Sequence, residues 1–393
     1  MKNICIDLTN IVPGKGGAGG GIATYGKELI LGIDDLLGGN ENLRQSCNVT
    51  VLLNTHTYKN LEFKHLNTRY FNVDNQNFFS RMYWLQIRLP NFLERENMDL
   101  LHRLLSELPI RKVCKYVVTV HDFMFEFYLK KTEYLTYLKV KDRLKFKVLN
   151  GLLSSAIRTS DLVITNSKTI SSDVISRFPG VHSKTAPILL GYSQSSEVYT
   201  SEHSNALDSV IRFGVVAAFH PHKGHLQVIR LVKRMIALGF ENSFHFYFRG
   251  SPVFREYYDK IKREISIAGL DGYFTFEQYV PAITLADIYN SYTATVLLSD
   301  YEGFGLPVIE SQAFGRPVIC SEIPVFKEIL GDTAFFLAKD PTDLDIIKLM
   351  SDLKNPELIH ALIRKGKQNA SLYTWSKTCQ NTMEAYFHLL TKD

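Results

Sequence analysis

The sequence predicts an α/β protein built of two doubly wound, Rossmann-like domains that face each other across a cleft. Short apolar runs of strand length alternate with longer amphipathic runs along most of the chain, and parallel strands joined by helical crossovers produce that alternation. The alternation occurs twice. A weakly periodic stretch rich in Ser, Thr and Asn, residues 185–209, separates the two runs. A length of 393 residues fits two or three domains of ordinary size.

In the first half NICIDLT, VTVLLN, LLHRL, KYVVTVHD and DLVITNS read as strands. IATYGKELILGIDDLL reads as a helix, because its apolar residues recur at three- and four-residue spacings. In the second half VIRFGVVAAF, SFHFYFRG, YFTFEQYV, ATVLLSD and RPVICSE read as strands. HLQVIRLVKRMIALG, VFREYYDKIKREISIAG, ITLADIYNSY and PVIESQAFG read as helices. The expected domains are 1–190 and 210–372, with 191–209 as linker.

Hydrophobic residues make up 45% and charged residues 22%, a composition that supplies an ordinary globular core. The five cysteines are far apart and show no metal-ligand spacing, so reduced thiols in a cytoplasmic protein are expected. Asp7 breaks the first apolar run, which argues against a signal peptide. No uncharged run approaches the ~18 residues of a spanning helix. A net charge of +5 is mild, and no nucleic-acid partner is expected. The segment from Tyr137 to Arg158 carries Lys139, Lys141, Arg143, Lys145 and Lys147 among Leu138, Leu144, Phe146, Val148 and Leu152. It reads either as a solvated helix face or as a patch that holds the protein peripherally against an anionic membrane.

In open α/β sheets ligands bind beyond the carboxyl ends of the strands, so the turns after strands hold the candidate residues. VPGKGGAGGGIATYGKEL follows the first strand and has six glycines from Gly14 to Gly21 before a helix. Such a loop admits close approach of a phosphate or sugar, or is merely flexible. KYVVTVHDFMF sets His121 at a strand end, where an imidazole can donate to a hydroxyl or phosphate oxygen. Asn166 and Ser167 suit a helix cap. Lys223 and Gly224 stand between a strand and a helix, where a lysine either reaches a diphosphate or is simply solvated. His220, His222 and His225 lie close by with no carboxylate to complete a metal set. Arg249 ends another strand, either as a phosphate contact or as a surface residue.

The densest signal is YEGFGLPVIESQAFGRPVIC, residues 301–320. A strand precedes it, and Pro307 suits the first turn of the helix that follows. Gly303 and Gly305 allow a tight turn. Glu302 lies in that turn and Glu310 one turn into the helix, and carboxylates accept paired hydrogen bonds from sugar or ribose hydroxyls. Free amides near Leu306 and Val308 favour an anion between them. Two hydroxyl acceptors flanking an anion site describe a nucleotide diphosphate sugar.

With EGFGLPVIE and the block AFGRPVICSEIPVFKEILGDTAFF downstream, the sequence resembles the retaining glycosyltransferases of family 4, the group 1 type with two Rossmann-like domains (GT-B fold). GGGIATYGKEL, VTVHDF, LVITNS, HPHKGHL and YTWSKTCQNTMEAYF are further matches, and the resemblance is weakest over residues 55–115. It implies a C-terminal helix, 373–393, that crosses back to the N-terminal domain. It implies that Glu310 binds the donor ribose, that Glu302 lies beside the transferred sugar, and that Gly303, Phe304 and Gly305 contact the sugar's hydroxyls. Lys223 would hold the diphosphate, His121 would face the reacting sugar, and Gly20 and Gly21 would line the acceptor side. Many members have an arginine where this chain has Ala218, so Arg249 or another donor must substitute or phosphate binding weakens. The implied activity is transfer of a hexose-type sugar, with retention and without metal or cofactor. The acceptor would be a glycan or glycolipid of lipopolysaccharide, O-antigen or capsule type. A catalytically weak partner subunit and a nucleotide-sugar epimerase share the fold. Transfer by the purified chain separates the first alternative, and release of free isomerised sugar the second.

Overall fold

A computed structural model describes residues 1–12, 20–57, 61–192, 210–277 and 284–391. The chain forms two compact units. The first comprises Met1–Lys130, Val140–Gly191 and Thr374–Asp393, the second Lys131–Lys139 and Tyr192–Tyr373. Residues 131–139 fall inside the span 1–190 read from sequence, yet they pack with the second unit. Tyr137 sets its ring edge-on to Tyr257 at 5.3 Å and accepts from Lys260 Nζ at 3.1 Å. All but two residues of the expected linker, and the glycine loop up to Gly19, lie outside the described residues.

The first unit holds a seven-stranded sheet in the order β3-β2-β1-β4-β5-β6-β7. Its strands are β1 (Lys2–Asp7), β2 (Cys47–Asn54), β3 (Asn67–Phe71), β4 (Leu100–Arg103), β5 (Lys115–Val120), β6 (Leu162–Thr165) and β7 (Thr185–Pro187). Every pairing is parallel, with Ile4 opposite both Val49 and Leu100. Ile4, Cys5 and Ile6 are all buried, because helices cover both faces of a parallel sheet. Helix α1 (Gly21–Gly39) turns Tyr25, Leu29, Ile30 and Ile33 inward. Val140–Thr159 (α2) and Lys168–Arg177 (α3) follow β5 and β6. The buried Arg103 guanidinium pairs with Asp7 at 2.5 Å, tying the ends of β4 and β1 together where the strand order reverses.

The second unit holds a six-stranded parallel sheet in the order β10-β9-β8-β11-β12-β13. Its strands are β8 (Ile211–Val216), β9 (Phe244–Arg249), β10 (Phe274–Glu277), β11 (Ala294–Leu297), β12 (Val318–Ser321) and β13 (Phe335–Leu337). Its core is aromatic: Phe213 stacks on Phe246 at 4.7 Å, and Phe248 meets Phe274 at 5.1 Å. Burying each such ring contributes roughly 1.5–3 kcal/mol. Helices α4 (His225–Ala237) and α5 (Leu306–Ala313) follow β8 and β11.

The last helix, α6 (Trp375–Thr391), packs on α1 in the first unit, where the Cys379 thiol points at the Leu29 carbonyl at 3.5 Å. The Tyr386 hydroxyl bonds His102 Nδ1, and Thr378 Oγ1 donates to the Leu189 carbonyl at 2.7 Å.

Candidate active site

In the second sheet the strand order reverses between β8 and β11, and a ligand-binding crevice opens beyond the carboxyl ends of two such strands. The loops that leave them carry Lys223 and Glu302. The loop after β8 tightens into a 3-10 turn, Pro221–Lys223, and then Gly224 at φ +74° starts α4. A Cβ on Gly224 would stand 1.8 Å from the Leu298 carbonyl oxygen, so only glycine lets the two loops touch. The Asp300 amide donates to the His222 carbonyl at 2.8 Å and fastens the same contact.

The outcome is an ion pair 79 residues apart in sequence. Lys223 Nζ lies 2.6 Å from Glu302 Oε1 and 2.8 Å from Oε2. Ser299 Oγ donates to Oε1 at 2.8 Å. Glu302 is 7% exposed, and the lysine side chain is more open at 19%. Beneath them Asp300 accepts from Gln227 Nε2 at 2.8 Å and from the Tyr134 hydroxyl, and Lys339 Nζ lies 3.0 Å away. Gly305 takes φ +98° and leads into α5, where Glu310 accepts from the Tyr289 hydroxyl at 2.7 Å. Burial pushes the Glu310 carboxyl up from its ordinary value.

The family description "Glycosyl transferases group 1" matches residues 201–369, the half that holds this constellation. "Glycosyltransferase Family 4" matches residues 40–191. The chain belongs to the group 1 glycosyltransferases. It is 31% identical to O-antigen chain mannosyltransferase B of Escherichia coli over 118 residues, 30% of each chain, and so spans less than a third of that relative. It is 23% identical to O-antigen chain mannosyltransferase RfbU of Salmonella typhimurium over 313 residues, 76% of this chain and 75% of the relative. The fold superposes on sucrose-phosphate synthase from Thermosynechococcus elongatus with a TM-score of 0.72 at 15% identity, covering all of both chains.

Within this glycosyltransferase, the structure brings Lys223, Glu302, Gly303, Gly305, Leu306 and Glu310 to one end of one sheet. Three expectations change. The Phe304 ring is buried against Tyr373 at 5.8 Å, so only its backbone can meet a sugar. The Val308 amide is spent on the Gly305 carbonyl at 3.1 Å and Pro307 has none, which leaves the Leu306 amide as the helix-start donor. Arg249 donates to Glu277 at 2.9 Å and to Tyr292 at 3.1 Å. Its charge is balanced by a neighbouring strand end, so it makes a poor replacement for the arginine absent at Ala218.

His121, Gly20 and Gly21 belong to the first unit. His121 directly follows β5 and its Nε2–H donates to the Leu104 carbonyl at 3.2 Å, with the ring edge-on to Tyr25 at 5.2 Å. Burial lowers its pKa to about 4. The ring is therefore neutral near pH 7, and its remaining nitrogen, Nδ1, can only accept a hydrogen bond where sequence reasoning has the imidazole donating. Gly20 caps α1 and Gly21 opens it, with open space beside the Gly21 Cα. Ser167 caps α3, accepting from the Ile170 amide at 3.1 Å, which gives it a structural role. His222 and His225 are buried, and His225 stacks on Phe219 at 4.5 Å, so both serve the core. Ser299 and Tyr289, which orient the two glutamates, escaped sequence reasoning because no spacing links a strand-end serine or a helix tyrosine to either carboxylate.

Gly224→Ala is expected to lose about 1–3 kcal/mol of stability by overpacking, read as a shift in the urea midpoint. An unchanged midpoint would show that the two loops separate freely.

Proposed function

We propose that the chain transfers mannose, with retention at the anomeric carbon, from a nucleotide diphosphate mannose to a hydroxyl of a lipid-linked O-antigen glycan. The observation that carries this reading is the Lys223–Glu302 pair at the strand-order reversal of a sheet whose domain matches group 1 glycosyltransferases. The names of the two curated relatives supply the mannose and the O-antigen acceptor.

In this reaction the bond from the anomeric carbon to the diphosphate oxygen breaks. The acceptor oxygen bonds to the same face of that carbon, and its proton passes to the departing phosphate. Negative charge grows on the diphosphate, where the Lys223 ammonium and the Leu306 amide meet it. Glu302 takes hydroxyls of the sugar and Glu310 those of the ribose. No resident cofactor is used, and the protein's own cation serves the leaving group in place of a metal.

A melting-temperature screen against nucleotide diphosphate sugars, followed by NMR of the product formed from α-linked donor, tests the reading. A donor at a hundred times its Kd should add ~2.7 kcal/mol of stability, the product should be α-linked, and a chelator should leave turnover unchanged. No stabilisation by any nucleotide sugar, or a β-linked product, would refute the proposal. Donor binding without turnover would instead favour a catalytically weak partner subunit, the reading that Ala218 and the pairing of Arg249 support.

A further inference from the structure

The crossover from β3 to β4 and the crossover from β5 to β6 run in the same direction along the first sheet, whereas β1 to β2 runs the other way. Right-handed crossovers therefore put residues 78–95 and α2 on one face, opposite α1. The helical segment 78–95 buries Trp84, Leu85, Leu89, Phe92 and Leu93 in the core. It leaves Phe79, Tyr83 and Ile87, four residues apart, 81%, 60% and 49% exposed. Helix α2 buries Leu153, Ala156 and Ile157. It leaves Val140, Leu144 and Val148, again four residues apart, 81%, 64% and 49% exposed.

Large apolar side chains scattered singly on a surface need no account, but two stripes of them on one face do. Their surroundings are basic. Lys141, Lys145 and Lys147 flank the α2 stripe, are exposed, and make no ion pair among the described residues; the one acid of that stretch, Asp142, is half-buried. Arg88 is exposed beside Ile87. Arg95 and Arg111 are matched by Glu96 at 3.0 Å and Glu94 at 3.5 Å, so the unbalanced charge is concentrated on α2. Among the described residues no helix is long and apolar enough to cross a membrane.

We propose that this face of the first unit docks on an anionic lipid surface. Phe79, Tyr83, Ile87, Val140, Leu144 and Val148 enter the headgroup boundary, and the α2 lysines bind lipid phosphates. A protein partner would need acids to meet the lysines and a groove to take both stripes. A bilayer supplies charge and an apolar boundary along a broad surface at once.

The test uses the full chain and floated vesicles, either pure phosphatidylcholine or with a third of the lipid replaced by phosphatidylglycerol, at low and at 0.5 M salt. Binding is expected only to the anionic vesicles, and salt should weaken it. Lys141→Glu with Lys145→Glu and Lys147→Glu should lower partition about tenfold or more. Phe79→Ser with Tyr83→Ser should lower it severalfold although no charge changes. Melting curves and the nucleotide-sugar shift of both variants should match the parent, which separates failure of docking from failure of the donor reading. Equal binding to neutral vesicles, no binding to anionic vesicles, or loss in the lysine variant alone would each overturn the two-stripe face.

Discussion

Lys223→Ala is expected to lower turnover about a hundred- to a thousandfold, ~2.7–4 kcal/mol of transition-state stabilisation, the scale seen when one preorganised donor to a developing oxyanion is removed. Among the described residues the lysine is the side-chain cation on Glu302, whereas Lys339 is paired with Asp300, Arg249 is held by Glu277 and Tyr292 and position 218 is alanine. Its ammonium touches both oxygens of Glu302, so the substitution also strands a carboxylate that is 7% exposed. Donor affinity and melting temperature must be measured beside turnover. If the loss sits in kcat, the lysine serves the departing diphosphate. If melting falls and kcat stays within threefold, the lysine is only the glutamate's counter-ion. Glu302→Gln keeps the shape and removes the charge. It should cost turnover without the full effect of the lysine change, because Ser299 still orients the side chain.

The second large effect is on acid stability. His102, His222 and His225 are buried, and burial is the leading cause that lowers all three pKa values from the ordinary 6.5, to about 3 for His102 and His225 and well below 6.5 for His222. The unfolded chain then binds protons that the folded chain refuses. Their contribution is complete above pH 6.5 and is lost as pH falls from 6.5 toward about 3. Each histidine gives a slope of roughly 1.4 kcal/mol per pH unit, so the three together give about 4 kcal/mol per unit once pH is below about 5.5. His121 and His220, both lowered to about 4 chiefly by burial, act in the same sense. Glu310, raised by burial, acts in the opposite sense with a single proton. Against a typical reserve of 5–15 kcal/mol, unfolding is expected before pH 4. Circular-dichroism melting at pH 7, 6, 5 and 4.5 reads it, and a melting temperature that holds level across that range would rule the mechanism out.

The central strands were legible because parallel strands covered on both faces are written as unbroken apolar runs, as in β1, β5 and β11. The outer ones were not. Asn67–Phe71, Thr185–Pro187 and Phe335–Leu337 are short edge strands with few fully buried residues, so neither alternation nor a run marks them. In the site, Lys223, Glu302 and Glu310 could be found because each follows a strand in its own stretch. That Lys223 grips Glu302 could not be found, since it depends on Gly224 seating against Leu298 across the loops. The neighbours of Arg249 and Phe304 were hidden for a related reason: Glu277 and Tyr373, which engage them, come from elsewhere in the sequence. The proton held by His121 was hidden too, because Leu104, seventeen residues earlier, fixes which nitrogen carries it.

The backbone changes unit after Lys130, after Lys139, after Gly191 and after Tyr373. A single cut therefore cannot yield either half whole. A fragment from Tyr192 onward lacks Tyr134 and Tyr137, so Asp300 loses a hydroxyl and Tyr257 an aromatic neighbour. A fragment ending at Gly191 lacks α6 and uncovers α1, His102 and Leu189. Shuffling halves between relatives must carry residues 131–139 with the second unit and the last helix with the first.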